Sequence, residues 1–78
     1  MKFTIKFKTM GLTFFAGEVE ADRLDNAKSR AAELLANRNV KSIEYAAILN
    51  PDFTEAALLN TARYNMPTRR IEWLTIRK

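Results

Sequence analysis

The chain has 78 residues, no cysteine, no histidine and a formal net charge of +4. A chain of this length forms one domain, residues 1–78, with one core, and hides only roughly 60–65% of the surface its unfolded form exposes. An enclosed substrate pocket is therefore hard to build, and a disulfide framework, thiolate chemistry and imidazole catalysis are excluded by composition. Oligomerisation, or docking on a larger partner, would relieve the small core.

Met1 to Thr9 alternates, with Met1, Phe3, Ile5 and Phe7 on one face and Lys2, Thr4, Lys6 and Lys8 on the other. The pattern predicts a half-buried strand with a cationic outer face. Met10-Gly11 marks a tight turn, Gly11 supplying the positive φ that hairpin turns need. Leu12 to Ala21 is a second strand, with Phe14 and Phe15 on opposite faces, an arrangement that suits a strand covered on both sides. Gly17 interrupts it as a bulge or twist. Glu18 and Glu20 face outward, across from the Lys6 and Lys8 side of the first strand.

Asp22 to Arg38 is the clearest element. Leu24, Ala27, Ala31, Leu34 and Leu35 recur at helical spacing and form one stripe. Asp22 is placed to cap the first turn, Asp25 adds charge that the helix dipole favours, Arg38 sits in the last turn and Asn39 can end the helix in a left-handed conformation. The stripe calls for a sheet to cover.

Val40 to Leu49 reads as a third strand, with Ile43, Tyr45, Ala47 and Leu49 sharing a face. Asn50-Pro51-Asp52-Phe53 forces a turn. Residues 53–64 are ambiguous. Glu55, Ala56, Ala57, Leu58, Leu59 and Ala62 favour a short second helix by propensity, whereas the turn chemistry favours a returning hairpin strand, and the balance tips slightly to the helix. Arg69 to Lys78 is a final strand, with Ile71, Trp73 and Thr75 on one face and Leu74 and Ile76 on the other; apolar residues on both faces point to a central or partner-covered strand. The expected fold class is α+β: a small antiparallel sheet of four to five strands with one long helix, residues 22–38, packed on one face.

Charge is distributed unevenly. Residues 1–10 and 63–78 together carry +7, and residues 11–62 carry −3. If the terminal strands pair side by side, Lys2, Lys6, Lys8, Arg63, Arg69, Arg70, Arg77 and Lys78 merge into one patch that attracts an anionic partner. The same lysines and arginines also serve simply to protect strand edges. Trp73, Tyr64 and Tyr45 are available as stacking platforms beside these cations, the combination used by single-stranded nucleic-acid sites. For Trp73 the competing role is core packing under the helix.

The carboxylate pairs Glu18/Glu20 and Asp22/Asp25 are explained by an exposed strand face and a helix start, and the isolated Gly11 and Gly17 form no phosphate loop. The expectation is a protein that is not an enzyme and uses no cofactor or metal. No apolar run reaches membrane-spanning length, and the alternating N-terminus is unlike a signal peptide, so cytoplasmic residence is expected.

The order of elements carries a resemblance. A strand, a turn, a strand ending Val19-Glu20-Ala21, a helix opening Asp22-Arg23-Leu24-Asp25-Asn26-Ala27-Lys28-Ser29-Arg30-Ala31 and a terminal Arg70-Ile71-Glu72-Trp73 resemble small phage and mobile-element proteins. In particular the chain is similar, over about two-thirds of its length, to type I anti-CRISPR proteins built as a small antiparallel sheet with one helix across it. The resemblance implies a non-enzymatic inhibitor in the host-cell cytoplasm that sits on a multisubunit CRISPR effector complex and blocks target DNA. Many such inhibitors are acidic DNA mimics, and the +4 charge departs from that pattern; a basic inhibitor would touch acidic protein surface, guide RNA or DNA. Two other classes remain open: a small basic nucleic-acid-binding module, and an antitoxin-like interaction protein, for which a homo-oligomer is expected but hairpin motif residues are missing.

Overall fold

The computed structural model describes residues 1–38, 42–61 and 71–76. Its elements are β1 (Lys2–Thr9), β2 (Leu12–Glu20), α1 (Leu24–Ala36), β3 (Tyr45–Leu49), β4 (Glu55–Leu59) and β5 (Trp73–Thr75). The five strands form one antiparallel sheet in the order β2-β1-β3-β4-β5, and α1 packs across one face. The expected α+β architecture is what the chain adopts.

The core lies between helix and sheet. Phe3, Ile5 and Phe7 of β1, Val19 of β2, Ala46 and Ile48 of β3 and Ala57 and Leu59 of β4 meet Ala27, Ala31 and Leu35 of α1. Ala27 and Ala31 are fully buried. Their small side chains let the helix lie close over the sheet, while Leu24 and Leu34 cover the flanks of the seam. The helical stripe read from the sequence is therefore the buried face.

The β1–β2 hairpin closes at Thr9 opposite Leu12, leaving a two-residue turn at Met10 and Gly11 with φ of +52° and +76°. Two positive φ values in a two-residue turn match the right-handed twist of the strands. Beyond it the register shifts: Ile5 faces Gly17 and Lys6 faces Phe15, so Ala16 is the extra residue of a bulge at the place where Gly17 interrupts the pattern. Gly17 has φ of +140°, a conformation that needs glycine, and lies under Leu34 of the helix.

Several boundaries and details differ from expectation. The helix is shorter than residues 22–38 at both ends. Arg23 occupies the cap position and no side chain caps the first turn, so Asp22 does not do so. Arg38 lies past the helix and donates from Nη2 to the Ala16 carbonyl at 2.6 Å, bridging helix end to sheet edge. β3 begins only at Tyr45, because a bend at Glu44 breaks the alternation. Ile43 consequently joins Ala46 and Ile48 in the core, and Tyr45, Ala47 and Leu49 take the other face.

Glu55–Leu59 is a strand and not a helix: Ala57 pairs with Ile48 and Leu58 with Ala47. The physical reason is the turn before it. Phe53 N–H donates to the Asn50 carbonyl and Asn50 N–H to the Thr54 carbonyl, both at 2.8 Å, and Asp52 Oδ1 accepts from Thr54 N–H at 3.0 Å. That network returns the chain against β3, and pairing with an apolar strand outweighs the helix propensity of alanine and leucine, which is worth only tenths of a kcal/mol per residue, about 0.7 at most. β5 is an edge strand and not a central one. Residues 39–41, 62–70 and 77–78, which hold Asn39, Tyr64 and parts of three expected elements (40–49, 53–64 and 69–78), lie outside the described residues.

Candidate functional site

The sheet separates the expected binding residues. Lys2, Lys6 and Lys8 alternate with the buried Phe3, Ile5 and Phe7, so their side chains leave the face opposite the helix. Trp73 pairs with Leu59 on the helix side, packs against the core and donates its indole Nε1–H to the Lys28 carbonyl at 3.1 Å. The tryptophan thus ties β5 to α1. One flat ligand does not meet both groups. The terminal strands are not side by side either, since β3 and β4 lie between β1 and β5. Arg63, Arg69, Arg70, Arg77 and Lys78 lie outside the described residues.

The face opposite the helix is chemically mixed. Register places Lys2 opposite Glu20, Thr4 opposite Glu18, Lys6 between Phe15 and Ala47, and Lys8 between Thr13 and Tyr45. Glu18 and Glu20 share the face of the lysines as expected and stand beside Thr4 and Lys2; the one-residue bulge is what puts them on this face, since unshifted pairing would set them opposite Phe3 and Met1. The Lys6 ammonium sits 5.8 Å from the centre of the Tyr45 ring, and the Tyr45 hydroxyl donates to Glu55 Oε2. A cation over an aromatic face and a hydroxyl held by a carboxylate fix the ring at both ends.

Apolar side chains share this face with the cluster. Leu58 of β4 stands between Ala47 and Leu74, with Leu74 and Phe15 exposed at the two sides of the face. Ala47 and Leu49 are buried outside the helix-side core. On β1 to β4 the charged side chains of this face are Lys2, Lys6 and Lys8 against Glu18, Glu20 and Glu55. Sequence reading missed Glu55 as the partner of Tyr45, and Leu58, Leu74 and Phe15 as members of the same sheet face. The turn at Asn50–Thr54 was the available signal: it makes Glu55–Leu59 a strand, after which alternation puts Leu58 on the face of Ala47.

On the helix side, Lys28, Ser29 and Ala32 of α1 and Ile71, Glu72 and Trp73 line an open cleft of about 480 Å³. Lys28 Nζ donates to Thr75 Oγ1 and lies 3.9 Å from Asp25 Oδ1. The lysine is occupied in holding β5 to the helix, and Ser29 has no imidazole or thiolate to act with. The cleft is a seam between two elements.

No helix among the described residues is long and apolar enough to cross a membrane. Comparison with family models, curated proteins and solved structures finds no match to this chain.

Proposed function

We propose that this chain is a non-enzymatic binding protein that docks on a larger protein or protein–nucleic-acid assembly through the sheet face opposite its helix. The observation that supports it is the composition of that face: Tyr45 braced between Lys6 and Glu55, apolar Phe15, Leu58 and Leu74 on the same face, and charges of both signs among them. An aromatic anchor, apolar surroundings and a polar rim are the make-up of a protein-binding surface. A phosphate backbone calls for a stripe of one sign, and here Glu18, Glu20 and Glu55 share the face with the three lysines.

The resemblance to type I anti-CRISPR proteins supplies the assembly: a multisubunit CRISPR effector complex, whose access to target DNA the bound protein blocks. Direct DNA or RNA contact is the second reading, carried by the regular placement of Lys2, Lys6 and Lys8 on one strand face. Fluorescence anisotropy with labelled single- and double-stranded DNA and RNA, run beside capture on an immobilised, purified effector complex, separates the two. Docking on the complex with weak, salt-sensitive binding to naked nucleic acid is the expected result. Tight naked-strand binding that falls steeply with salt would replace it with the nucleic-acid reading, and silence in both assays would remove the effector as the target.

A further inference from the structure

Strand β2 is an edge strand whose two halves are built differently. The second half is guarded. It carries the bulge at Ala16–Gly17, the Ala16 carbonyl accepts from Arg38, and Glu18 and Glu20 follow. Bulges, capped backbone groups and charges are the devices by which sheet edges avoid pairing with another chain. The first half has none of them. Leu12-Thr13-Phe14-Phe15 contains no charge and no proline, and Leu12, Phe14 and Phe15 are 59%, 42% and 63% exposed.

The turn leading into it adds an independent observation. Met10 is held at φ of +52° and is 80% exposed, at a hairpin position where asparagine costs least. A large apolar side chain is thus kept in a disfavoured conformation and pointed at solvent, next to the unguarded half-edge. Folding gains nothing from it there.

Hairpin geometry fixes which backbone groups are open. In a two-residue hairpin the closing pair, Thr9 and Leu12, exchanges both hydrogen bonds, and pairs alternate from there. Thr13 and Phe15 therefore turn their N–H and C=O groups away from β1, toward the open edge.

We infer that this half-edge is a self-association surface: two copies pair their Leu12–Phe15 segments antiparallel about a two-fold axis at Phe14, making one ten-stranded sheet. In this register Thr13 of one copy meets Phe15 of the other, twice, and all four open N–H groups find carbonyls. Phe14 meets Phe14 on the helix side, and Leu12 meets Ala16. The charge pattern selects a second copy in this orientation. The uncharged halves overlap, while each Glu18 and Glu20 is carried past the other copy's turn, and no like charges oppose.

The area fits a modest dimer. At about 200 Å² for a large apolar side chain, Met10, Leu12, Phe14 and Phe15 leave about 500 Å² exposed per copy, so these side chains can bury at most about 1,000 Å² in the pair, the size of a weak interface. This association uses the sheet edge and shares Phe15 with the open face, but it is read on the chain alone with no effector present, and Thr13→Pro tests it without altering Phe15, so either can fail without the other.

Sedimentation equilibrium of the full chain from about 10 µM to about 1 mM, the range a small interface requires, reads the association directly. A closed monomer–dimer equilibrium is expected, weakened at least about tenfold in Phe15→Lys and in Thr13→Pro, which removes an edge donor without touching the β1 pairing. Amide exchange on the unaltered chain supplies a readout free of substitutions: the Thr13 and Phe15 amides slow as concentration rises, while the already paired Phe14 amide follows global stability. A monomer throughout the range, a dimer indifferent to both substitutions, open-ended aggregation, or Thr13 and Phe15 amides whose exchange is independent of concentration would each overturn the inference.

Discussion

Phe53 stands in the β3–β4 turn at φ of +66° and is 68% exposed. A left-handed backbone costs an ordinary residue about 1–2 kcal/mol, and asparagine tolerates it far better. Replacing Phe53 by Asn relieves most of that cost. What is lost is the buried third of the ring, about 0.5–1 kcal/mol when full burial of such a side chain contributes about 1.5–3 kcal/mol. The turn's own bonds are retained, since Phe53 contributes only its backbone N–H to Asn50. The balance is a gain of about 0.5–1 kcal/mol. For a domain of this size it appears as a rise in Tm of about 2–8 °C in a thermal melt followed by circular dichroism. Phe53→Gly gains less, because glycine adds freedom to the unfolded chain. A Tm below that of the parent in Phe53→Asn would refute the reasoning, since it would mean that the ring packs more than its exposure indicates or that the turn does not hold this conformation.

Three further substitutions test other parts of the account. Met10→Asn in the β1–β2 turn is expected to raise stability by about 0.5–1 kcal/mol, for the same backbone reason and with less side-chain burial to lose, as read by urea denaturation. Gly17→Ala is expected to cost more than about 1 kcal/mol, because φ of +140° is a conformation that alanine rarely adopts; the space under Leu34 would accept a methyl group at 3.5 Å, so replacing Leu34 by Ala as well will not restore stability. Ile48→Ala removes a fully buried side chain from the middle of the sheet and should cost about 2–5 kcal/mol, enough to leave a large unfolded fraction at 37 °C in a domain this small.

Residues whose alternation is unbroken gave their faces away in the sequence. Lys2 to Thr9 and the stripe from Leu24 to Leu35 are regular over eight residues or more, and burial follows the pattern. The errors cluster where one local feature resets the phase. The bend at Glu44 moves Ile43 to the core and Tyr45 to the opposite face, and the bulge at Ala16 shifts the pairing of Glu18 and Glu20 by one residue, to Thr4 and Lys2. At Glu55–Leu59, open between helix and hairpin strand with a slight tilt to helix, the strand wins because short runs of alanine and leucine carry a helix preference far smaller than the free energy of joining a sheet. Asp22 has the right chemistry for a helix cap, yet the helix starts after Arg23 with no capping side chain.

The candidate face was half legible. Its lysines follow from alternation alone, and Tyr45 was noticed for its aromatic ring. That Lys6, Tyr45 and Glu55 form one chain of contacts depends on β1 and β3 being neighbours and on the β3–β4 hairpin, and strand order is not written in the residues of any one strand. The same ordering parts Trp73 from the lysines.

The central claim is that the face opposite the helix does the binding, and a matched pair of charges tests it most directly. Leu74 is an exposed side chain of that face, and Ser29 is an exposed residue of the helix on the other side of the molecule. Leu74→Glu and Ser29→Glu add the same charge, and both should keep the parent's circular dichroism. With a purified CRISPR effector complex as the proposed partner, affinity is predicted to fall at least about tenfold, or 1.4 kcal/mol, in Leu74→Glu and to stay unchanged in Ser29→Glu. Equal affinities, or a loss confined to Ser29→Glu, would contradict the account.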